Sequence, residues 1–201
     1  MSTAHPPVAP VLPAAVIAER QSLRQRLRAE RDRWMASESA ADAARRLEGH
    51  LGSVLAQLVP DCLGVYWPLG SEFNAARPWQ GGDPLAPLPL ALPFAQREPH
   101  ALHYRQWDGR PPVLKDECGI ATASGAPVVP DVLLVPCLGY TEGGFRLGYG
   151  GGYFDRYLAA HPHVTAIGVA WSCARLDDQA FTPQPHDQPL MLVVTENGVL
   201  G

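Results

Sequence analysis

The chain has 201 residues, 46% hydrophobic and 18% charged, with a formal net charge of -4. That balance fits one mid-sized globular unit and excludes a coiled coil or a mostly disordered polymer. Mild acidity sets aside a general nucleic-acid binder, whose phosphate-facing surface is basic overall. Prolines and charges interrupt every hydrophobic run before the roughly 18 residues of a membrane span, so no membrane partner is expected. Gly 19 and Pro 21 make about a fifth of the sequence, which predicts many turns without low complexity. Cys62, Cys118, Cys137 and Cys173 are far apart and lack C-x-x-C spacing. Neither a zinc knuckle nor a disulfide framework is suggested, and a reducing cytoplasm is the expected location.

In chain order, Met1 to Pro13 has four prolines and no apolar run of a signal peptide, and is expected to be a disordered tail. Residues 14–201 are expected to form a single domain. Helix formers run from Ala14 to about Met35, with Val16, Leu23, Leu27 and Trp34 as the apolar side. A second helix, capped by Ser37 or Ser39, carries Leu47, Leu51, Val54, Leu55 and Leu58 before Pro60, and is expected to pack on the first. Short apolar runs follow at Cys62–Trp67, Leu88–Phe94, Val132–Val135, Thr165–Ala170 and Met191–Val194, each reading as a buried strand. Gln80 to Pro93 reads as a proline-rich connection within the domain. Strands apolar on both faces suit a mainly parallel sheet covered by helices, so the expected fold is an α/β three-layer sandwich.

The sharpest feature begins at strand Val132–Pro136. Six glycines fall within Gly143–Gly152, and Tyr153–Leu158 then reads as a helix start. Dense glycine lets the backbone approach a ligand and turn several N–H groups toward it, and a helix amino terminus favours an anion. A flexible turn would have the same glycine density; Arg146 inside the loop favours a phosphate clamp. Tyr153 occupies the position where both a Walker A lysine and the third glycine of a dinucleotide fingerprint would be needed. Lys115 is the sole lysine against 15 arginines, so arginine must meet any phosphate.

Arg20, Arg24 and Arg28 share one helix face, a stripe that is more often simply solvated. Trp67–Glu72 is a strand end followed by a polar turn, where α/β folds place ligand contacts. Asp187 stands before the last apolar run, and is more often a turn or cap residue than a metal ligand.

These residues resemble the 5-formyltetrahydrofolate cyclo-ligase family. The resemblance is carried by Gly144 to Leu158 after the strand and proline, and by Arg20 with Leu23-Arg24 on the first helix. Tyr66, Pro68 and Glu72 match a Tyr-x-Pro-x-x-x-Glu segment, and His186-Asp187 precedes Val193 to Glu196. It implies ATP- and Mg²⁺-dependent closure of 5-formyltetrahydrofolate to 5,10-methenyltetrahydrofolate, with release of ADP and phosphate. Phosphoryl transfer would activate the formyl oxygen for attack by N10. It also implies that Arg20, Arg24, Arg146 and the Gly148, Tyr149, Gly150, Gly151, Gly152 and Tyr153 run hold ATP, with Arg146 and Asp155 catalytic. Asp155 and Asp187 would bind Mg²⁺ directly or through water. Glu72, Tyr153, Trp67 and Leu69 would face the folate. The chain is expected to be a cytoplasmic monomer with no partner beyond small molecules. Three positions depart from the family pattern: arginine at 20 for lysine, Phe154 for a second tyrosine, and Gly119–Ser124 where Gly-Ile-x-Glu-Pro is usual.

Two other classes fit the same residues. One is a different phosphoryl or acyl transferase on a related fold; the other is a nucleotide- or folate-binding regulator without turnover. Joint presence of Arg146, Asp155 and Asp187 favours catalysis, since folate binding alone needs none of them.

Overall fold

The fold is built on a mixed eight-stranded sheet whose parallel centre leads into the glycine-rich segment. The computed structural model describes residues 13–79, 88–177 and 180–201. The expected tail lies outside the described residues except Pro13, the N-cap of the first helix. The part of the expected proline-rich connection at 80–87 also lies outside them.

Helices α1 (Ala14–Met35) and α2 (Ala40–Leu58) come first. Strands β1 (Leu63–Gly64), β2 (Leu90–Gln96), β3 (Ala101–Trp107), β4 (Leu114–Lys115), β5 (Ala121–Thr122), β6 (Pro127–Val128) and β7 (Val132–Pro136) follow. A small hairpin, β8 (Gly139–Tyr140) and β9 (Arg146–Leu147), leads to α3 (Tyr153–Ala160). Strands β10 (Thr165–Val169), β11 (Leu192–Thr195) and β12 (Gly198–Leu200) close the chain. The main sheet has the order β12-β11-β10-β7-β1-β2-β3-β6. Its five central strands, β11 to β2, are parallel; β12, β3 and β6 run antiparallel to their neighbours.

Alternation along the strands builds the three layers. Val132 and Leu134 face the α2 side with Leu47, Leu51 and Val54. Leu133 and Val135 face the α3 side with Tyr157 and Leu158. The expected α/β sandwich with a mainly parallel centre is therefore the observed one.

Four details differ from the sequence reading. Strand β3 was not anticipated, because His103, Arg105 and Gln106 interrupt its apolar run; its buried members, Leu102, Tyr104 and Trp107, do not form a continuous one. The connection expected to reach Pro93 ends earlier, since strand β2 starts at Leu90. Ser39 is the N-cap of α2, but its side chain makes no cap bond. Finally, α1 does not lie along α2. Leu23 and Leu27 pack with Leu138, Leu147, Leu176 and Phe181 over the β8–β9 hairpin, and its last residues, Trp34 and Met35, reach the α2 cluster. This places α1 against the glycine-rich segment.

Proline in β2 is accommodated by register. Ala91 turns its carbonyl toward β1, accepting from Val65 N at 2.9 Å, so Pro93 turns the same way. Strand β1 has ended there, and the missing N–H leaves no ladder bond unmade. Loop residues take the vacated flank: Thr122 Oγ1 donates to Pro93 O (2.7 Å), and Ala95 N donates to Asp116 Oδ2 (3.1 Å). Beside them Gly64 is crowded. A Cβ there would come within 2.4 Å of Leu133 Cδ2, 2.8 Å of Tyr104 Cε1 and 3.1 Å of Pro130 Cγ. Gly64→Ala should cost about 1–3 kcal/mol through overpacking, read as a lower denaturant midpoint at unchanged slope.

Candidate active site

The parallel strands β1 and β7 are neighbours, and the chain leaves the sheet in opposite directions from them: β1 leads to β2, β7 to β10. Clefts in open α/β sheets form at the carboxyl ends of strands at such a reversal. Here the cleft is a cavity of about 1290 Å³ entered by Tyr66 and Trp67 after β1 and by Pro136 at the end of β7. Every site residue singled out from the sequence lines it, including Arg20, Arg24, Glu72, Arg146, Tyr153, Asp155 and Asp187.

One wall is cationic. Arg20 forms a two-pronged ion pair with Asp187, at 2.5 and 3.3 Å, and also donates to Thr182 O (3.2 Å). Arg146, 6% exposed, donates to Asp155 Oδ1 (2.9 Å) and Gln188 O (2.9 Å). Two of the three arginines expected on phosphate, Arg20 and Arg146, are thus neutralised by the two aspartates expected on metal. Arg24 has no such carboxylate contact among the described residues. Its Nε donates to Gly148 O (2.8 Å), and its guanidinium lies about 3.2–3.4 Å from where a Cβ on Gly150 would sit. Burial, with Arg20 and Arg28 nearby, lowers the pKa of Arg24 despite Asp187. A cation crowded in this way is a place where an anion would relieve repulsion.

The glycine loop closes over these arginines. Gly150 and Gly152 have φ of 96° and 60°, a left-handed backbone suited to glycine. Gly152 is the N-cap of α3, with no side-chain cap bond, so the amino end of this eight-residue helix opens at the cavity.

The rest of the lining mixes apolar and aromatic groups. Trp67 meets Trp107 edge to face at 6.2 Å, and Leu69 stands 36% exposed at the rim. Tyr153 stacks on His100 at 4.2 Å and shares a hydrogen bond with Cys118 Sγ (3.2 Å). That bond, with some burial, pushes the tyrosine pKa up to about 12. Glu72 accepts Tyr149 Oη–H on Oε1 and Leu69 N–H on Oε2 (2.7 Å). Burial raises its pKa, against the opposing pull of those bonds and of Arg31 and Arg28.

Sequence reasoning missed Arg31, Asp116, Cys118 and His100. Arg31 had a signal in helical register with Arg20; the others belong to no motif. Asp116, near the segment that departs from the Glu-Pro pattern, accepts Cys118 N, Ile120 N and Ala95 N. It shapes the loop beside β2.

The sequence profile described as the 5-formyltetrahydrofolate cyclo-ligase family matches residues 92–196, just over half of the chain. The chain belongs to this family. Among curated relatives it is similar to the 5-formyltetrahydrofolate cyclo-ligase of Mycoplasma pneumoniae, 36% identical over 67 residues. That alignment takes in 33% of this chain and 39% of the relative. It is also similar to the Escherichia coli K12 5-formyltetrahydrofolate cyclo-ligase, 37% identical over 71 residues, 34% of this chain and 38% of the relative. The chain thus spans about two fifths of the length of the curated relatives it matches. Two solved structures share the fold. The M. pneumoniae 5,10-methenyltetrahydrofolate synthetase superposes with a TM-score of 0.66 at 19% identity, covering 88% of this chain and 98% of that one. The Aquifex aeolicus 5,10-methenyltetrahydrofolate synthetase gives 0.70 at 22%, covering 90% and 91%.

The Arg20–Asp187 pair links α1 to the segment before β11, and it should make stability depend on pH. Burial opposes ionisation of Asp187, but Arg20, the Gln184 amide and His186 outweigh it and hold the carboxyl below the ordinary 3.8. Its contribution is therefore complete above about pH 4 and is lost as pH falls through the lowered native value. Asp187→Asn should cost up to about 3 kcal/mol at neutral pH by leaving Arg20 uncompensated. Thermal unfolding from pH 7 to 2 should show the wild-type and variant curves converging at the acid end.

Proposed function

We propose that this chain catalyses the ATP-dependent closure of 5-formyltetrahydrofolate to 5,10-methenyltetrahydrofolate. The supporting observation is a single cavity lined both by arginines with the glycine loop and by aromatic and apolar side chains. Its volume exceeds the roughly 300–1,000 Å³ of a typical single-ligand pocket, which suits two substrates bound side by side. Family membership supports the reaction class.

The chemistry needs positioning more than proton transfer. The γ-phosphoryl passes from ATP to the formyl oxygen, N10 attacks the activated carbon and loses its proton, and phosphate departs with the former formyl oxygen. Arg24, the Gly148–Gly152 amides and the α3 amino end hold the phosphates and meet the charge that develops during transfer. Arg146 sits behind them, its fork fixed by Asp155 and Gln188. Tyr153, Trp67 and Leu69 offer flat apolar surface to a pterin, and Glu72 offers a buried carboxylate to its polar edge.

The acidic residues fit a Mg²⁺ bound together with nucleotide. The described residues hold no cluster of three or more His, Cys, Asp or Glu side chains of metal-site spacing. Mg²⁺, however, takes only one or two carboxylates when phosphate and water complete its shell. The two protein contacts of Asp155 both fall on Oδ1, which leaves Oδ2 to serve as the direct ligand when the ion binds. Asp187, with both oxygens engaged by Arg20 and Gln184, would act through water. The ion would supply charge neutralisation on the transferring phosphoryl group.

The described residues contain no helix long and apolar enough to cross a membrane, and we propose cytoplasmic action on small molecules by a monomer.

Mixing the protein with 5-formyltetrahydrofolate and MgATP should generate the absorbance of the methenyl product; folate-dependent stabilisation without ATP consumption would instead identify a binding protein. Asp155→Asn should lower kcat about 100-fold, in the range for loss of charge stabilisation in a transition state, with an unchanged circular dichroism spectrum. Normal turnover at limiting Mg²⁺ would remove Asp155 from the metal site. Arg24→Ala should weaken binding of a non-hydrolysable ATP analogue about tenfold, or about 1.4 kcal/mol, and leave folate affinity unchanged by calorimetry.

A further inference from the structure

Arg31 lies on α1 two turns beyond Arg24, outside every motif, with its side chain 5% exposed. Its Nε donates to Ser71 Oγ at 2.9 Å. One terminal nitrogen donates to Tyr149 Oη at 3.1 Å and stands 3.8 Å from Glu72 Oε1; the other reaches Leu69 O at 3.5 Å. Tyr149 passes its own proton bond on to Glu72. One guanidinium therefore grips both walls of the cavity: the glycine loop through Tyr149, and the turn after β1 through Leu69, Ser71 and Glu72. Trp171 Nε1 holds the same turn by donating to Ser71 O at 3.0 Å. The planar fork is needed, because an ammonium group cannot address three directions at these fixed angles.

We infer that Arg31 is a positioning residue, which through Tyr149 and Glu72 sets the distance between the phosphate-holding loop and the folate-facing turn. The inference rests on the cyclo-ligase reading of the cavity. In-line transfer requires reacting atoms about 3–3.5 Å apart, and a misplacement of about 1 Å can cost roughly 100-fold in rate. A brace that sets the spacing of the two segments governs alignment in the transition state more than ground-state nucleotide affinity, so its loss falls on kcat and spares the KM for ATP.

The test is the steady-state kinetics of Arg31→Lys, Tyr149→Phe and the double variant, with melting temperatures. Each single variant should lose about tenfold or more in kcat with the ATP KM within about threefold, and the double variant should be no slower than the slower single, as for residues that act as one unit. Losses that multiply toward about 100-fold overturn the inference, because the two side chains then act separately. So does an Arg31→Lys protein with wild-type kcat and a lower melting temperature, which would make Arg31 a strut for α1. If Arg31→Lys does not fold, Ser71→Ala, which removes the oxygen that fixes Nε, takes its place under the same criteria. A wild-type protein that forms no methenyl product overturns the functional reading and this inference together; an active wild type with additive variants overturns the inference alone.

Discussion

Buried positive charge on the inner face of α1 is the constraint to which the rest of the site answers. Arg20 and Arg31 are 8% and 4% exposed, and a guanidinium taken out of water at that depth must be met by carboxylates and carbonyls. The partners come from three distant stretches of chain. Asp187 and Thr182 meet Arg20, Gly148 meets Arg24, and Leu69, Ser71, Glu72 and Tyr149 meet Arg31. The helix thus gathers the segment before β11, the glycine loop and the turn after β1 around one axis. Its apolar contribution is correspondingly small, with Leu23 and Leu27 as its core residues.

The same constraint explains what could be read in the sequence. Successive helical residues are turned by about 100°, so Leu27 and Arg31 fall within about 20° of Arg20, while Arg28 falls about 80° away. A stripe drawn through Arg20, Arg24 and Arg28 follows every fourth residue and drifts off the buried face. Arg28 is accordingly exposed, over the ring of Tyr149 at 5.0 Å, and Arg31, eleven residues from Arg20, was overlooked. Apolar periodicity could not reveal a face whose buried positions are partly arginine. It also placed α1 beside α2, the usual arrangement for consecutive amphipathic helices, although α1 covers the β8–β9 hairpin.

Elsewhere local chemistry was enough. The run of helix formers from Ala14 located α1, and the strand-glycine-helix order located β7, the loop and α3. The cavity residues taken from that order and from family resemblance fall in one place. What remained illegible was pairing. No local pattern says that Arg146 meets Asp155, or Arg20 meets Asp187, because each pair is closed by tertiary structure. Strand β3 was hidden for a related reason: its outward face carries His103 and Arg105, and its inward face is completed by Tyr104 against Tyr157 of a helix some fifty residues later.

The brevity of β1 has an architectural consequence. Two residues pair with β2 and β7, after which the middle of the sheet parts and the Asp116–Thr122 loop lines the gap. The cavity is therefore made by omission, as a missing length of strand between two intact neighbours. An enlarged pocket would ordinarily be sought by lengthening surface loops, but here its depth is tied to a register in the centre of the sheet. Sequence change around the rim can then alter what is recognised without changing how deep the chamber is, while an added pair of strand residues after Gly64 would fill it from the floor.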